Sequence, residues 1–188
     1  MAYTFKFELN HLPVPVWRIV DVPDHFSLYR LHLTMQGAFG WQHAHLYEFK
    51  SKTAAGVKTY GDSFLNDGEL PDVEESRTVA ISKLFKKKGD KLDYFYDFGD
   101  GWHHTIELKK RDSEEMLYPV CREGSGKCPP EDVGGPPGYV MMLEALSATR
   151  HPERASYRTW LGLKPREQWD PHEFNFLETH KRLCLVVE

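Results

Sequence analysis

The sequence of 188 residues is poor in cysteine, and its three cysteines, Cys121, Cys128 and Cys184, are too few and odd in number for a disulfide framework. No stretch approaches the roughly 20 apolar residues that span a bilayer. The N-terminal residues also lack a charged region followed by an apolar run and a small-residue cleavage site. These absences predict a cytoplasmic protein that is neither exported nor inserted into a membrane.

The chain also lacks a strong excess of charge of either sign, because its formal net charge is -4. A protein that coats nucleic acid through its backbone charge needs a global basic excess, so any nucleic-acid site here would be local. The most basic run, residues 83–91, is expected to be a solvated surface rather than a phosphate-binding patch. With 40% hydrophobic residues the chain can bury one good core, and we predict one domain over residues 1–188.

Several familiar catalytic signatures are missing. Residues 97–99 spell the metal-binding tripeptide of kinases, but no Gly-rich loop or catalytic-loop signature accompanies them. The segment GSGKC, residues 124–128, lacks the leading glycine of a phosphate-binding P-loop and the Ser or Thr that follows its lysine. There is no Gly-x-Ser-x-Gly elbow, and Cys128 has no evident base. Nucleophilic catalysis therefore has no support in the sequence.

Periodicity predicts an α+β fold. Apolar and polar residues alternate through residues 3–23 on both sides of a Pro-containing break, which indicates two antiparallel strands. Ser27 can cap a helix that Gly40 is placed to end. Further strand patterns reach about residue 110, and short helical patterns follow from about Tyr139. We therefore expect an antiparallel or mixed sheet with one early helix packed on it and a helical C-terminal third.

The segment from Tyr94 to Lys110 concentrates aromatic, acidic and histidine side chains in one predicted hairpin. Asp100-Gly101 is a strong signal for a type I′ turn, because both central positions need positive φ. If these two residues form the loop, Asp97 faces His104 on an otherwise apolar face. A three-residue loop would pair Asp97 with His103 instead.

An aspartate opposite a histidine is the first candidate site, since each group is costly to bury without the other. The pairing would raise the pKa of His104, whereas desolvation would lower it. We predict a coupled Asp97 and His104 pair at the edge of a pocket walled by Trp102. The alternative is a structural ion pair that only holds the hairpin together.

The Pro- and Gly-rich loop at residues 128–138 could supply the third group that catalysis would need. Glu131 and Asp132 stand beside Gly134 and Gly135, which permit close approach of a ligand. Alternatively, the two acidic residues cap a neighbouring element. A divalent metal is also an open alternative, and the plausible ligands are His43, His45, His103, His104, Asp97, Asp100, Cys121 and Cys128. Their spacing matches no structural zinc motif, so no metal ligand is assigned.

Six motifs run in a fixed order along almost the whole chain. They are VWRIVDVP, LHLTMQGAFGW with HLYEF, YDFGDGWHHTIEL, CPPEDVGGPPGY, TWLG and DPHEFN. In this they resemble the plasmid pRiA4b ORF-3-like family, whose members are often passenger genes of plasmids and insertion sequences. The resemblance implies little about activity, since some relatives carry a resolvase label or occur beside DNA-binding domains without a demonstrated chemistry.

The resemblance also marks particular positions. The motif residues kept here are His32, Gln36, Trp41, His45, Asp97, Asp100, Trp102, His104, Glu131, Asp132, Gly134, Gly135, Gly138 and Tyr139. Tyr47, His103 and Val133 stand where relatives commonly have a histidine, a glutamate and a cysteine. These departures weaken any metal site that would use those three positions.

Two classes of function fit these residues. The first is a non-enzymatic binding or accessory module of mobile elements, whose partner is a protein or a nucleic acid bound through local lysines and exposed aromatics. The alternative is a hydrolase or transferase in which Asp97 orients His104 as general base while Glu131 or Asp132 acts as acid or as ligand of a divalent metal. The further predicted binding residues are His45, Asp100, Trp102, Gly134, Gly135 and Tyr139.

Overall fold

The computed structural model describes residues 1–54, 56–62, 73–113 and 115–186. Its strands are β1 (Ala2–Leu9), β2 (Val16–Pro23), β3 (Tyr47–Thr53), β4 (Gly56–Gly61), β5 (Val73–Glu75), β6 (Lys91–Tyr96), β7 (Trp102–Asp112) and β8 (Val120–Ser125). They form one eight-stranded sheet in the order β5-β4-β3-β6-β7-β1-β2-β8. The sheet is mixed, because β4 and β5 are parallel whereas the other neighbouring pairs are antiparallel.

In the described residues, four α-helices accompany the sheet: α1 (Leu28–Phe39), α2 (Gly135–Ser147), α3 (Arg154–Trp160) and α4 (Phe176–Leu183). The α+β class is thereby confirmed. The sheet dominates the described residues, and the three helices after β8 have 13, 7 and 8 residues. Within the described ranges, no helix has both the length and the apolar character needed to cross a bilayer.

The ends of α1 follow the local signals in the sequence. The Ser27 hydroxyl accepts a hydrogen bond from the backbone N–H of Arg30, which satisfies one of the free donors at the start of the helix. Gly40 adopts a left-handed conformation with φ of 87°, and its N–H donates to the carbonyl of Gln36. The helix buries one face, including Leu31 and Met35, and contacts α4 and β2.

The core is rich in aromatic side chains on alternating strand positions. In β1, Tyr3, Phe5 and Phe7 are all buried, as the alternation in the sequence predicts. Burying one such side chain contributes about 1.5–3 kcal/mol relative to leaving it exposed. This aromatic layer continues into β6 and β7, so the ends of these two strands are fixed by packing.

The β6–β7 hairpin exists as predicted, but its register is different. Tyr94 faces His104, and Tyr96 faces Trp102. Five residues, 97–101, therefore connect the strands, and the backbone N–H of Gly101 donates to the carbonyl of Asp97 at 2.6 Å. Both the two-residue and the three-residue loop predictions are wrong. Asp97 lies in the loop and does not face either histidine across the strands.

The side chain of Asp97 explains the longer loop. Its Oδ1 accepts hydrogen bonds from the backbone N–H groups of Gly99 at 2.9 Å and Asp100 at 3.3 Å. Aspartate side chains commonly start turns by bonding the backbone in this way. The turn therefore begins at Asp97, three residues before the Asp100-Gly101 pair that dominates the local sequence pattern.

Candidate functional site

Three side chains that can bind a metal ion converge beside the hairpin loop. His45 Nε2 lies 3.2 Å from Asp132 Oδ1 and 3.7 Å from Asp97 Oδ2. One ligand atom from each of the three residues lies within 4.8 Å of the other two. We call His45, Asp97 and Asp132 the His-Asp-Asp cluster. Nitrogen and oxygen ligands bound at 2.0–2.2 Å to one ion lie about 3–4 Å apart, which matches the two distances from His45.

The cluster is assembled from three separate connections of the fold. His45 precedes β3, Asp97 directly follows β6, and Asp132 lies between β8 and α2. The backbone N–H of Asp97 donates to the carbonyl of Leu46 at 2.9 Å, which joins the first two segments. Asp97 is buried, His45 is partly exposed, and the side chain of Asp132 is 71% exposed. The cluster therefore lies at the surface, with one side open to solvent.

Both aspartates of the cluster have left-handed backbone conformations. The φ angle is 56° at Asp97 and 60° at Asp132. Non-glycine residues adopt this region rarely, and such conformations persist where the surrounding structure enforces them, often at functional sites. The fold therefore holds both carboxylates in positions that an unconstrained chain would seldom take.

Glu131 fixes the loop that carries Asp132. The hydroxyl of Tyr96 donates to Glu131 Oε1 at 2.5 Å, and the backbone N–H of Gln42 donates to both Glu131 oxygens at 3.3 Å. The pKa of Tyr96 is raised by burial and then by this carboxylate, so its hydroxyl stays a donor. Of the two predicted acidic residues, Asp132 reaches the cluster and Glu131 is a positioning residue beside it.

Asp100, Gly134 and Gly135 join the hairpin loop to the start of α2. The backbone N–H of Gly134 donates to Asp100 Oδ2 at 3.2 Å. A Cβ atom on Gly135 would lie 2.2 Å from the carbonyl oxygen of Asp100, and Gly135 has φ of 66°. Asp100 of the hairpin loop, rather than a ligand, therefore makes the close approach that these glycines permit. The three residues position the cluster rather than contribute to it.

His104 occupies a different environment from the predicted one. It is fully buried, and its ring centroid lies 4.9 Å from that of Phe39, 5.3 Å from that of Trp41 and 5.3 Å from that of Tyr94. Burial, and after it the charge of His103, lower the pKa of His104 to about 3, and nearby backbone groups offset these effects only in part. His104 is a neutral core residue, and the predicted pair with Asp97 is wrong.

Two other predicted binding residues also lie in the core. Trp102 and Tyr139 are fully buried, and the Trp102 ring packs 5.7 Å from the ring of Trp41. Trp41 donates through Nε1 to the carbonyl of Pro129 at 3.0 Å, which ties the acidic loop to the end of α1. These aromatic residues form the base that supports the loops of the cluster.

The remaining histidines weighed as ligands have other partners. His43 Nδ1 lies 2.5 Å from His32 Nε2, and burial holds the pKa of His32 well below its usual value. His103 Nε2 lies 3.0 Å from Asp93 Oδ1. The sequence predicted that Asp97 and Asp132 meet around His104, but it did not predict that His45 takes the place of His104. The only signal was that His45, Asp97 and Asp132 each belong to a different one of the six motifs.

These features define an α+β protein with a mixed eight-stranded sheet and a His-Asp-Asp cluster at one hairpin. The family model of the plasmid pRiA4b ORF-3-like proteins matches residues 1–178, so the chain belongs to that family, as predicted. The chain is 36% identical over 179 residues to the "Uncharacterized protein y4hQ" of Sinorhizobium fredii, which covers 94% of this chain and 87% of the relative.

A solved structure shares the fold. The crystal structure of the protein of unknown function MM3350 from Methanosarcina mazei Go1 matches with a TM-score of 0.79 and 28% sequence identity. The match covers 94% of this chain and 96% of that one. The sheet and its accompanying helices are therefore an architecture that the two proteins share over nearly their whole length.

Proposed function

We propose that this protein is a binding module built around a divalent metal ion held by His45, Asp97 and Asp132. The observation that carries the proposal is the convergence of one imidazole nitrogen and two carboxylate oxygens from three separate loops at mutual distances suited to one ion. The left-handed backbone at both aspartates adds support, because this uncommon conformation is found often at functional sites.

The ligand types limit the metal. Imidazole and carboxylate together suit Zn²⁺, Mn²⁺ and Fe²⁺, whereas soft metals prefer thiolates and Mg²⁺ prefers oxygen ligands alone. Two carboxylates neutralise the double charge of such an ion. The competing interpretation is an ion pair of His45 with Asp97 and Asp132 that holds no metal, and metal titration separates the two.

Three protein ligands leave coordination positions open for a partner. An oxygen donor from a protein carboxylate or from a nucleic-acid phosphate would fit such a position. Phe98 follows Asp97 in the hairpin loop and is 49% exposed, so an aromatic surface adjoins the cluster. The plasmid in the family description supports an accessory role in mobile elements.

We extend the proposal to the organisation of the chain and its location. One sheet draws its strands from residues 2–125, and α4 returns to contact α1, which supports one domain over residues 1–188. Cys121, Cys128 and Cys184 are free thiols, which supports a reducing compartment such as the cytoplasm.

The second candidate is a metal-assisted hydrolase or transferase. The open coordination positions favour it, since a divalent ion that keeps a bound water can lower the pKa of that water and supply the nucleophile. In this version His45, Asp97 and Asp132 would hold the ion, and the lowered pKa of its bound water would make a general base at the buried His104 unnecessary. Metal-dependent turnover of a phosphoester or ester substrate would distinguish it from a binding module.

Metal titration of the full chain tests the proposal. After EDTA treatment and desalting, calorimetry with Zn²⁺ and Mn²⁺ should give one ion per chain. Asp132→Asn should weaken that binding at least tenfold, with little change in stability because the side chain is largely exposed. Asp170→Asn, an equal charge change at an exposed position, is the matched control. Equal affinity in all three proteins, or no binding to any, would refute the metal site.

A further inference from the structure

A second group of charged residues lies apart from the His-Asp-Asp cluster, around Arg18 of β2. Arg18 is only 3% exposed. Its guanidinium donates hydrogen bonds to four backbone carbonyls: Nε to Ala38 at 3.1 Å, Nη1 to Trp17 at 2.8 Å and Ser125 at 2.7 Å, and Nη2 to Gly126 at 2.9 Å. The rings of Phe39 and Phe174 lie 5.4 Å and 4.3 Å from it.

The charge of Arg18 has no acidic partner within ion-pair distance in the described part of the chain. Carbonyl dipoles and ring faces stabilise it only in part, since desolvation lowers its pKa from 12.5 to about 10. Buried charges in proteins are normally paired or hold a ligand. The surroundings of Arg18 therefore favour an additional negative charge.

Arg182 of α4 is a second guanidinium beside the first. Its Nε donates to the carbonyl of Gly37 at 2.9 Å and its Nη2 to Thr179 Oγ1 at 3.1 Å. An arginine has five N–H donors, so the remaining donors of Arg182 are available. Glu178 lies near enough to influence the pKa of Arg182, but its hydrogen bond is to Lys181 at 2.9 Å.

Both guanidiniums line one cleft of about 320 Å³ at the junction of β2, the end of α1 and α4. Lys127 and Glu173 also line it, and they pair with each other at 2.7 Å. Glu178 also lines the cleft and bonds Lys181 outside it, so the lining holds three positive and two negative side chains and carries a net charge of +1. Its volume is at the lower end of the range for small-molecule sites, which begins at about 300 Å³.

The geometry points to an oxyanion site of the phosphate class in this cleft, with Arg182 as the main ligand and Arg18 as the fixed positive charge behind it. Guanidinium forks match phosphate oxygens and form two parallel hydrogen bonds to them. The guanidinium of Arg182 packs closely against Gly40, where an added Cβ would lie 3.3 Å from its Cζ. The site is independent of the metal proposal.

The test uses the full chain after removal of metal, so that its outcome does not depend on the His-Asp-Asp cluster. Wild type is titrated with inorganic phosphate, and separately with a short single-stranded DNA, against chloride at equal ionic strength. We expect phosphate-specific binding that Arg182→Gln weakens at least tenfold. Arg182→Lys should retain part of it, because it keeps the charge without the fork.

Arg166→Gln removes the same charge from an exposed position that does not line the cleft, and it should bind like wild type. Far-UV circular dichroism verifies that each variant is folded. If Arg182→Gln does not fold, phosphate-induced NMR shifts of the Nε–H groups of Arg18 and Arg182 locate the site in wild type.

The two ligands identify the source of the phosphate. Binding of the ion alone indicates a small phosphate compound, whereas Arg182-dependent binding of DNA alone indicates a nucleic-acid backbone. Two results would overturn the site: no preference of wild type for either ligand over chloride, or equal binding by wild type and a folded Arg182→Gln protein. If Arg182→Gln does not fold, unshifted Nε–H resonances of Arg18 and Arg182 in wild type would likewise overturn the site.

Discussion

His45 Nε2 lies 3.2 Å from Asp132 Oδ1, although six strands, β3 to β8, separate the two residues along the chain. The contact exists because the β6–β7 loop and the loop before α2 are both held against the segment that follows α1. Three tethers do this: the Tyr96 to Glu131 hydrogen bond, the Trp41 to Pro129 hydrogen bond and the Asp97 to Leu46 hydrogen bond. The cluster therefore depends on these supports as well as on its own three side chains.

Substitution of Asp97 should separate its structural role from its role as a ligand. In Asp97→Asn the amide oxygen can still accept from Gly99, and asparagine tolerates the left-handed conformation, so stability should change by less than about 1 kcal/mol. Asp97→Ala loses both the acceptor for Gly99 and the tolerance of the left-handed conformation. It should lower the unfolding free energy by about 1–3 kcal/mol. Urea unfolding measures both. Metal affinity should fall at least tenfold in both variants, and an unchanged affinity in Asp97→Asn would exclude Asp97 as a ligand.

Gly135→Ala should be strongly destabilising, because its Cβ would lie 2.2 Å from the carbonyl oxygen of Asp100. We expect a loss of about 2–4 kcal/mol, the sum of the left-handed backbone cost and the clash. Gly162→Ala is the matched control, since Gly162 has a similar φ of 63° and an added Cβ there would meet no atom within 4 Å. The difference between the two variants in urea midpoint isolates the clash. Equal losses of stability would show that the backbone at Asp100 shifts at little energetic cost.

Tyr96→Phe should loosen the loop that carries Asp132. The hydroxyl of Tyr96 donates to Glu131 and accepts from the backbone N–H of Ala44 at 3.1 Å, so its removal leaves two polar groups without this partner. We expect a loss of about 1–3 kcal/mol in unfolding free energy. A double-mutant cycle with Glu131→Ala, which removes the acceptor, measures the coupling. Additive losses in that cycle would contradict the role of Glu131 as an anchor.

Buried His104 should make stability depend on pH. Its pKa is about 3 in the folded state, below the ordinary histidine value of 6.5, so the unfolded state binds the proton more readily. The stability associated with neutral His104 is present above pH 6.5 and is lost as the pH falls from there towards 3. Each pH unit in this window should change the unfolding free energy by about 1.4 kcal/mol at most.

His104→Phe should remove this dependence. The slope of unfolding free energy against pH between pH 6 and pH 4 reports how many more protons the unfolded state binds than the folded state. This number should decrease by about one, as measured by urea unfolding at a series of pH values. His172→Gln, at an exposed histidine, should leave the slope unchanged. An identical slope in wild type and His104→Phe would mean that His104 is readily protonated in the folded protein.

Local sequence patterns determined the elements of the fold. The alternation in β1 placed Tyr3 and Phe5 inside, and Ser27 and Gly40 set the ends of α1, because strand periodicity and helix caps depend on neighbouring residues alone. The six motifs likewise identified the family, which the match over residues 1–178 confirms. They also included every residue of the His-Asp-Asp cluster.

Tertiary structure alone decided which of these residues meet. The turn signal of Asp100-Gly101 was overridden, because the Asp97 side chain bonds the backbone of Gly99 and the packing of Tyr96 and Trp102 fixes the strand ends opposite each other. That shift removed Asp97 from His104 and brought it to His45. Contacts between distant loops depend on the packing of the whole sheet, and no local pattern in the sequence encodes their distances.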